Sequence, residues 1–425
     1  MAQFSVLKGQ PLSKEIPYRD PDALFALTGT DGNGKSAYLP VGQSMLERHV
    51  LLLGKPGSGK TGLMQQMARN LRVMLTEKDS LVILDLDGEN YQRLHQKNDA
   101  VLAQDDRAGK NCWNLFEELR PGEDLLEDAS ALCESLFSRR IAQAADPFYE
   151  LAARDLTMAL IVYLARRGDQ TLCNNQSLRE LMEGFDVQTM RELLKAEPEL
   201  KGYALYLADE TDPRTLGMIS AMQKAARELF QGRFGGKGTQ SVRGLLEEKA
   251  GKVIFLCGGI SPGSRDVAAA LCGWAIRQCL NRKKKDGRVF LLLDDFCLLP
   301  PLPLLEEGML LGRNAGLHLL LSSAGVKDAE DKYGPSAGSI LGAAGTVAAF
   351  QLREERSRAF VRELYGTHRV LESCPSIANP RNMLEQTADI PVIGDEDLTA
   401  LQPGEMIIAT MHYPPFRFRV KASAK

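Results

Sequence analysis

The sequence has no C-x-x-C pair, and none of its eight cysteines lies near a histidine at metal-ligand spacing. These absences exclude a zinc ribbon and a disulfide framework, and point to reduced thiols in a cytosolic protein. Cys272 and Cys279 fall on one face of an expected helix, where core packing accounts for them. The first residues are mixed polar and apolar, so no secretory signal is legible. The longest apolar stretches, 289–305 and 340–352, are interrupted by acids or dominated by glycine and alanine, which excludes a membrane span there. Neither sign of charge is in excess, the formal net charge being −3. Bulk charge therefore does not announce a nucleic-acid partner, which would need basic residues gathered along one surface or channel. The 425 residues suffice for two or more domains, or for one large α/β domain carrying an insertion.

What the sequence does contain is Gly54-Lys55-Pro56-Gly57-Ser58-Gly59-Lys60-Thr61, a match to the phosphate-binding loop pattern G-x-x-x-x-G-K-[ST]. Its surroundings carry as much weight as the match. The apolar run 50–53 before it reads as a strand, and Leu63, Met64, Met67 and Leu71 after it recur at helical spacing. A strand, a glycine turn and a helix N-terminus are what a phosphate needs. Glycines let backbone N–H groups approach its oxygens, the helix start favours negative charge, Lys60 reaches the β/γ-phosphates and the Thr61 hydroxyl can ligate Mg²⁺. A second match, Gly29-Thr30-Asp31-Gly32-Asn33-Gly34-Lys35-Ser36, is followed by Pro40 and Gly42, which would break a helix. With Asp-Gly and Asn-Gly between strand-like runs, it reads as a hairpin turn and a decoy.

In chain order, residues 1–45 read as an irregular lead-in with a β-hairpin. An apolar strand at 81–86 follows the loop unit and ends in Asp85-Leu86-Asp87-Gly88-Glu89, where open α/β sheets place ligands. From 123 to about 230 the pattern is helical throughout (124–144, 146–167, 177–182, 187–196, 213–230), which predicts an all-α insert spanning 123–238. Asp146-Pro147 is a strong helix start, and a glycine-rich joint at 232–238 closes the insert. Strands then alternate with helices again at 253–257, 289–293, 317–321 and 347–352, arguing for a mostly parallel sheet covered on both faces. The tail holds a short acidic helix and a closing hairpin, 405–410 with 415–420.

The second chemical element is Val289-Phe290-Leu291-Leu292-Leu293-Asp294-Asp295. An apolar strand ending in two acids is either an ordinary strand running into a solvated turn or the completion of a P-loop ATPase site. In that site the first acid holds Mg²⁺ through water and the second orients and deprotonates the attacking water. The phosphate loop favours the second reading. No N-K-x-D guanine signature accompanies it. The basic run Arg282-Lys283-Lys284-Lys285, and Arg233 and Lys237 in the glycine joint, could line a DNA channel, but such runs are more often solvated loops.

Taken together, the sequence resembles the conjugative coupling proteins of type IV secretion systems. The residues that carry the resemblance are Arg48-His49-Val50-Leu51-Leu52-Leu53-Gly54 into the loop, Asp85 to Glu89, and Asp146-Pro147-Phe148 opening a helix with Ala153-Arg154. They continue with Leu299-Pro300-Pro301-Leu302, Gly312-Arg313-Asn314-Ala315-Gly316-Leu317, Tyr333-Gly334, Leu364-Tyr365-Gly366 and the tail 391–418. The resemblance implies a RecA-like P-loop ATPase domain (46–122 and 239–425), an inserted all-α domain, and a homo-oligomeric ring, a hexamer that is a monomer when isolated. It implies ATP and Mg²⁺ as cofactors and single-stranded DNA, a relaxase-type nucleoprotein and a secretion-channel or membrane-anchor protein as partners. Lys60 and Thr61 would serve the phosphates and Mg²⁺, Asp294 the metal and Asp295 the water. Arg313 would reach a neighbouring subunit's γ-phosphate; on its own, an arginine at a helix end is as readily a helix cap. Three departures stand out. Asp295 replaces a usual glutamate, one methylene longer. Ser322-Ser323 stands where a sensor glutamine usually follows the third strand. The family's N-terminal membrane segments are missing, so the protein docks at the inner face of the membrane through a partner, or the chain was cut from a longer one. The function expected is a DNA translocase that couples its substrate to a type IV secretion channel. A docking receptor for protein substrates, or a cytosolic DNA pump in repair or defence, are the alternatives.

Overall fold

Val50–Leu53 buries all four of its side chains, as a strand covered on both faces requires. In the computed structural model, which describes residues 3–109, 112–184, 186–248, 250–375, 383–410 and 413–421, this strand lies between Thr346–Ala349 and Leu317–Ser323 and is parallel to both. The architecture is α/β and RecA-like. The chain forms two compact units: Met1–Met74 with Leu292–Cys297 and His318–Lys425, and Leu75–Leu291 with Leu298–Leu317.

In the first unit the sheet turns antiparallel beyond Thr346–Ala349. Glu405–Thr410, Phe416–Val420, Ala23–Asp31 and Ser36–Gly42 follow in that order, each antiparallel to the one before. Short connections join Glu405–Thr410 to Phe416–Val420 and Ala23–Asp31 to Ser36–Gly42, and the outer strands alternate: Phe416, Phe418 and Val420 point inward while Arg419 faces out. The expected closing hairpin is present, its second strand beginning at Phe416 rather than 415. The decoy match is a hairpin turn, with the Asp31 carboxylate accepting the backbone N–H groups of Asn33 and Lys35, both at 2.9 Å. A separate three-stranded antiparallel sheet joins Gln3–Lys8, Thr367–Pro375 and Met383–Pro391. The sequence reading did not anticipate it.

In the second unit Ser80–Asp85, Lys252–Cys257 and Ala100–Ala103 form parallel pairs, with Lys252–Cys257 in the middle. The helices expected in the middle of the chain are Leu125–Gln143, Pro147–Arg166, Asn175–Gly184, Val187–Ala196 and Pro213–Leu229. Asp146 caps the second of them, its carboxylate accepting the Phe148 N–H at 3.0 Å, with Pro147 at the first position. Among the described residues between 125 and 229 no strand occurs. The chain enters and leaves this stretch side by side: Asn114 N donates to Gln240 O at 2.8 Å, and Thr239 N to Cys112 O at 3.0 Å. Buried Glu118 ties the two passages, accepting the N–H groups of Val242 and Arg243 and the Trp113 indole at 2.7, 3.0 and 3.0 Å. Helix Pro262–Leu280 packs on both Leu125–Gln143 and Pro213–Leu229, and a bidentate Arg139–Asp266 pair at 2.7 Å fastens the first of these contacts. Cys272 and Cys279 are wholly buried in that helix. No helix among the described residues is long and apolar enough to cross a membrane.

The entrance to the strand Ser80–Asp85 is held by a buried ion pair. Asp79 receives the Arg288 guanidinium on both oxygens, plus the N–H of Arg288 and of Thr76. Burial alone would push this carboxyl up, but the bonds from Arg288 and Thr76 outweigh it and hold it at about 2, against 3.8 when unperturbed. The folded value lies below the unfolded one, so the pair stabilises fully above pH ~4 and the contribution is lost as pH falls towards ~2, amounting to about 2 kcal/mol. Asp79→Asn should lower stability at neutral pH by about that amount and leave a shallower acid limb between pH 4 and 2 in urea unfolding. An acid limb identical to the parent's would show that Asp79 does not titrate with folding.

Candidate active site

The phosphate-type loop is drawn tight by backbone bonds to strand ends far away in sequence. Gly54 N donates to Ser323 O at 3.2 Å and Lys55 N to Gln351 O at 3.0 Å, while Ser58 O accepts the Gly404 N–H at 2.7 Å. The loop opens directly into the helix Lys60–Met74, whose first N–H groups lack intrahelical partners by construction. Gly57 and Gly59 have φ of 73° and 112°, and a Cβ on Gly59 would stand 3.0 Å from Gly404. The Ser58 hydroxyl is buried and has no hydrogen-bond partner among the described residues.

Lys60 folds back into its own loop. Its ammonium donates to the Gly54 carbonyl at 2.8 Å and lies 3.6 Å from an Asp295 carboxylate oxygen. It is only 5% exposed, whereas the Asp295 side chain is 42% exposed. A buried cation set against one carbonyl and one half-exposed acid has donor capacity left for an incoming oxyanion. Asp294 and Asp295 follow the strand Val289–Leu293. Asp295 is one of the few non-glycine residues at positive φ, 47°, which turns its side chain away from that of Asp294. Ser322 fixes this turn: its hydroxyl donates to the Asp294 carboxylate at 2.5 Å and accepts the Asp295 N–H at 2.8 Å. The neighbouring Ser323 hydroxyl donates to Gly325 O at 2.8 Å. Ser322 thus does something other than what its position in the sequence suggests, organising the acid pair rather than standing in for a glutamine. No local pattern announces this, because it depends on Leu317–Ser323 lying beside Val289–Leu293 in the sheet.

The remaining candidates lie in the same loop or elsewhere in the chain. Thr61 is half-buried in the first turn of the loop helix. Pro56 is exposed and Lys55 half-buried on the outer face of the loop. Arg313 belongs to the second unit and is exposed in the last turn of the helix Leu305–Ala315, just before Gly316 at φ 77°. In the Asp85–Glu89 segment, Asp85 is fully buried and accepts the Asn90 N–H at 3.1 Å and the Arg107 guanidinium at 3.2 Å. The Asp87 carboxylate caps Glu89 N at 3.0 Å. These two acids are engaged in holding their own turn.

A family model described as the type IV secretion-system coupling protein DNA-binding domain matches residues 33–392. The chain belongs to this family. Among solved structures, it superposes on the plasmid coupling protein TrwB in complex with the non-hydrolysable ATP analogue ADPNP with a TM-score of 0.74 at 17% identity, covering 99% of this chain and 96% of that one. The bacterial conjugative coupling protein TrwBdeltaN70, in an unbound form, gives 0.73 at 17% identity over 91% and 88%. VirB4 of Thermoanaerobacter pseudethanolicus gives 0.54 at 15% identity over 96% and 98%. At such identities these structures establish that the coupling-protein family member described here shares their fold. No curated protein matches the sequence.

The loop geometry separates its two positive-φ glycines. A Cβ on Gly57 would meet nothing within 4 Å, so Gly57→Ala carries only the backbone penalty, about 1 kcal/mol. Gly59→Ala adds the clash with Gly404 at a φ of 112° and should cost about 3 kcal/mol. Urea unfolding of the two variants should rank them in that order, and equal losses would contradict the close approach of Gly404.

Proposed function

We propose that the protein is an ATP-hydrolysing DNA translocase that couples a DNA or nucleoprotein substrate to a type IV secretion channel. The observation that carries the reading is the meeting of Lys60, Asp294, Asp295 and Ser322 at a phosphate-type loop in a chain of the coupling-protein family. The loop fits a nucleotide: it offers a buried, unpartnered Ser58 hydroxyl, two glycines without side chains, a helix start and a lysine with spare donors. TrwB, of the same fold, has been solved with ADP and Mg²⁺ and with ADPNP.

Each residue then has a role. The loop N–H groups of Gly57 to Thr61 orient the phosphates, and Lys60 gives its remaining N–H donors to the β/γ oxygens. Mg²⁺, when bound, neutralises charge on those oxygens; Thr61 and Asp294 would hold it, Asp294 kept in place by Ser322. Asp295 accepts the proton of the water that attacks the γ-phosphorus as the bond to the β-bridging oxygen breaks. Arg313, exposed at a helix end, acts on the nucleotide of a neighbouring copy in a homo-oligomeric ring. The division into a RecA-like domain (46–122, 239–425) and an all-α insert (123–238), after a lead-in (1–45), belongs to the same proposal. The paired entry and exit of the chain at 112–118 and 239–243 support it. The ring works at the cytoplasmic face of the membrane, with a channel or anchor protein as partner and single-stranded DNA, alone or with a relaxase, as cargo.

ATP turnover with and without single-stranded DNA is the direct test. The parent should be stimulated by DNA, Lys60→Ala should fall to background, and Lys35→Ala, in the decoy hairpin, should match the parent. Parental turnover in Lys60→Ala would remove the loop as the engine, and turnover indifferent to DNA would favour a docking receptor over a pump.

A shared site makes a further demand. An arginine supplied by a neighbour is worth about 10³–10⁵ in turnover in other P-loop enzymes. Arg313→Ala should therefore lose the rise of specific activity with protein concentration while keeping nucleotide affinity. Mixing it with Lys60→Ala should restore part of the activity, because some interfaces then pair an intact loop with an intact arginine. Parental activity in Arg313→Ala alone would end the idea.

A further inference from the structure

The second unit contains a cavity of about 290 Å³ whose walls carry Lys78, Arg243, Arg282 and Lys285 against two carboxylates, Glu247 and Asp286. It is built at the entrances of strands, the edge of a parallel sheet opposite to the one that usually holds ligands. Lys78 lies in the turn leading into Ser80–Asp85, Arg243 and Glu247 on the short helix Val242–Glu247 before Lys252–Cys257, and Arg282, Lys285 and Asp286 in the turn leading into Val289–Leu293. The apolar Leu246 belongs to its lining and Gln278 adds one amide.

Two guanidinium groups here are incompletely matched. Arg282 donates from Nη2 to Asp286 O at 2.6 Å, while its Nη1 is buried without a hydrogen-bond partner. Arg243 is anchored through its backbone N–H, 3.0 Å from the buried Glu118 carboxylate, while its Nε is likewise buried without a partner. An unmatched buried donor on an arginine is costly, and an oxyanion is one group that satisfies it. The acids do not supply it. An Asp286 oxygen already accepts the Lys283 N–H at 2.9 Å, and Glu247 is exposed. With four cations against two carboxylates the cavity remains net positive.

We infer that this cavity binds a phosphate-bearing anion of diphosphate size, held by Arg243 and Arg282 with Lys78 and Lys285 around it. Two guanidinium forks flanked by ammonium groups suit the tetrahedral, multiply charged phosphoryl group better than a single carboxylate. The volume lies at the small end of ligand pockets, enough for a diphosphate or a phosphomonoester headgroup and too little for a strand of nucleic acid. The site is independent of the nucleotide loop and of the reading given to that loop. It also accounts for the Arg282–Lys285 run as something other than a solvated turn.

Inorganic pyrophosphate, titrated calorimetrically into the full chain, tests the assignment. Lys60→Ala is used as background so that the nucleotide loop does not contribute. One site should remain there, and the added pair Arg243→Gln and Arg282→Gln should weaken it at least about tenfold. Because Arg243 also borders Glu118, the exposed pair Lys78→Ala and Lys285→Ala provides a second variant that spares the packing and should weaken binding about three- to tenfold. Vesicles of phosphatidylcholine with and without a phosphomonoester lipid distinguish the sources. Co-sedimentation lost in the same variants assigns a lipid headgroup, and pyrophosphate binding without co-sedimentation assigns a free oligophosphate. Absence of a pyrophosphate site in Lys60→Ala, or unchanged affinity in both paired variants, overturns the proposal. So does a loss of DNA-oligonucleotide binding in the variants with pyrophosphate affinity intact, which would make the surface a nucleic-acid contact.

Discussion

The parallel register that sets Leu52 beside Ser322 and Leu53 beside Ser323, with Thr346–Ala349 on the other side, is the constraint on which the site depends. Three buried strands end together at the loop, and the acid turn that follows Val289–Leu293 lies beside the last of them. Gly54 leans on Ser323 O, Lys55 on Gln351 O, and Ser322 reaches across to the acid turn. A slip of one residue between the loop strand and its neighbours would present the opposite face of each side chain and part Gly54 N and Lys55 N from Ser323 O and Gln351 O. The all-apolar sequence of Val50–Leu53 does not fix that register alone; the polar ends do, because each buried N–H and hydroxyl at the rim needs its partner.

Several buried charges are matched by geometry. In the second unit Asp79 with Arg288, and Asp266 with Arg139, are two-pronged pairs in which both carboxylate oxygens are met. Removing one partner from such a pair leaves an uncompensated charge, so these pairs specify how turns and helices seat even where their net contribution is modest. Lys60 is the contrast. It is equally buried, but faces a carbonyl at hydrogen-bond distance and a carboxylate at 3.6 Å, a looser arrangement. The two-pronged pairs hold the scaffold; the looser contact of Lys60 lies where a ligand would complete it.

How far the sequence could be read follows from whether the determinants were local. The loop, its flanking strand and helix, the decoy hairpin and the helix capped by Asp146 each carry their signal within about ten residues, and the structure shows all of them. The helices between 125 and 229 were legible for the same reason, since their apolar periodicity needs no partner to be seen. The three-stranded sheet was not. Thr367–Pro375 and Met383–Pro391 are rich in polar residues, and cross-strand pairs such as Arg369 with Asp389 hold them together rather than an apolar run. Ser322 escaped because its partners lie more than 25 residues away and meet it only because Leu317–Ser323 neighbours Val289–Leu293 in the sheet. A short hydroxyl here is the right length to bridge two adjacent groups of one turn.

The positive φ of Asp295 ties these points together. At 47° the backbone reverses just after the strand, so two consecutive acids point to different places: Asp294 towards Ser322, Asp295 towards Lys60. Aspartate tolerates this left-handed conformation several-fold better than most residues, whereas a glutamate gains no such local support. The shorter side chain is thus suited to the turn that carries it, and its oxygen still lies within ion-pair distance of the lysine. In the proposed reaction this contact has a consequence. A phosphate arriving at the loop competes with Asp295 and Gly54 O for the same ammonium, so the lysine is drawn to the phosphate as the carboxylate is released to receive a water's proton. Binding and the readiness of the base are then one event, set by a single shared cation.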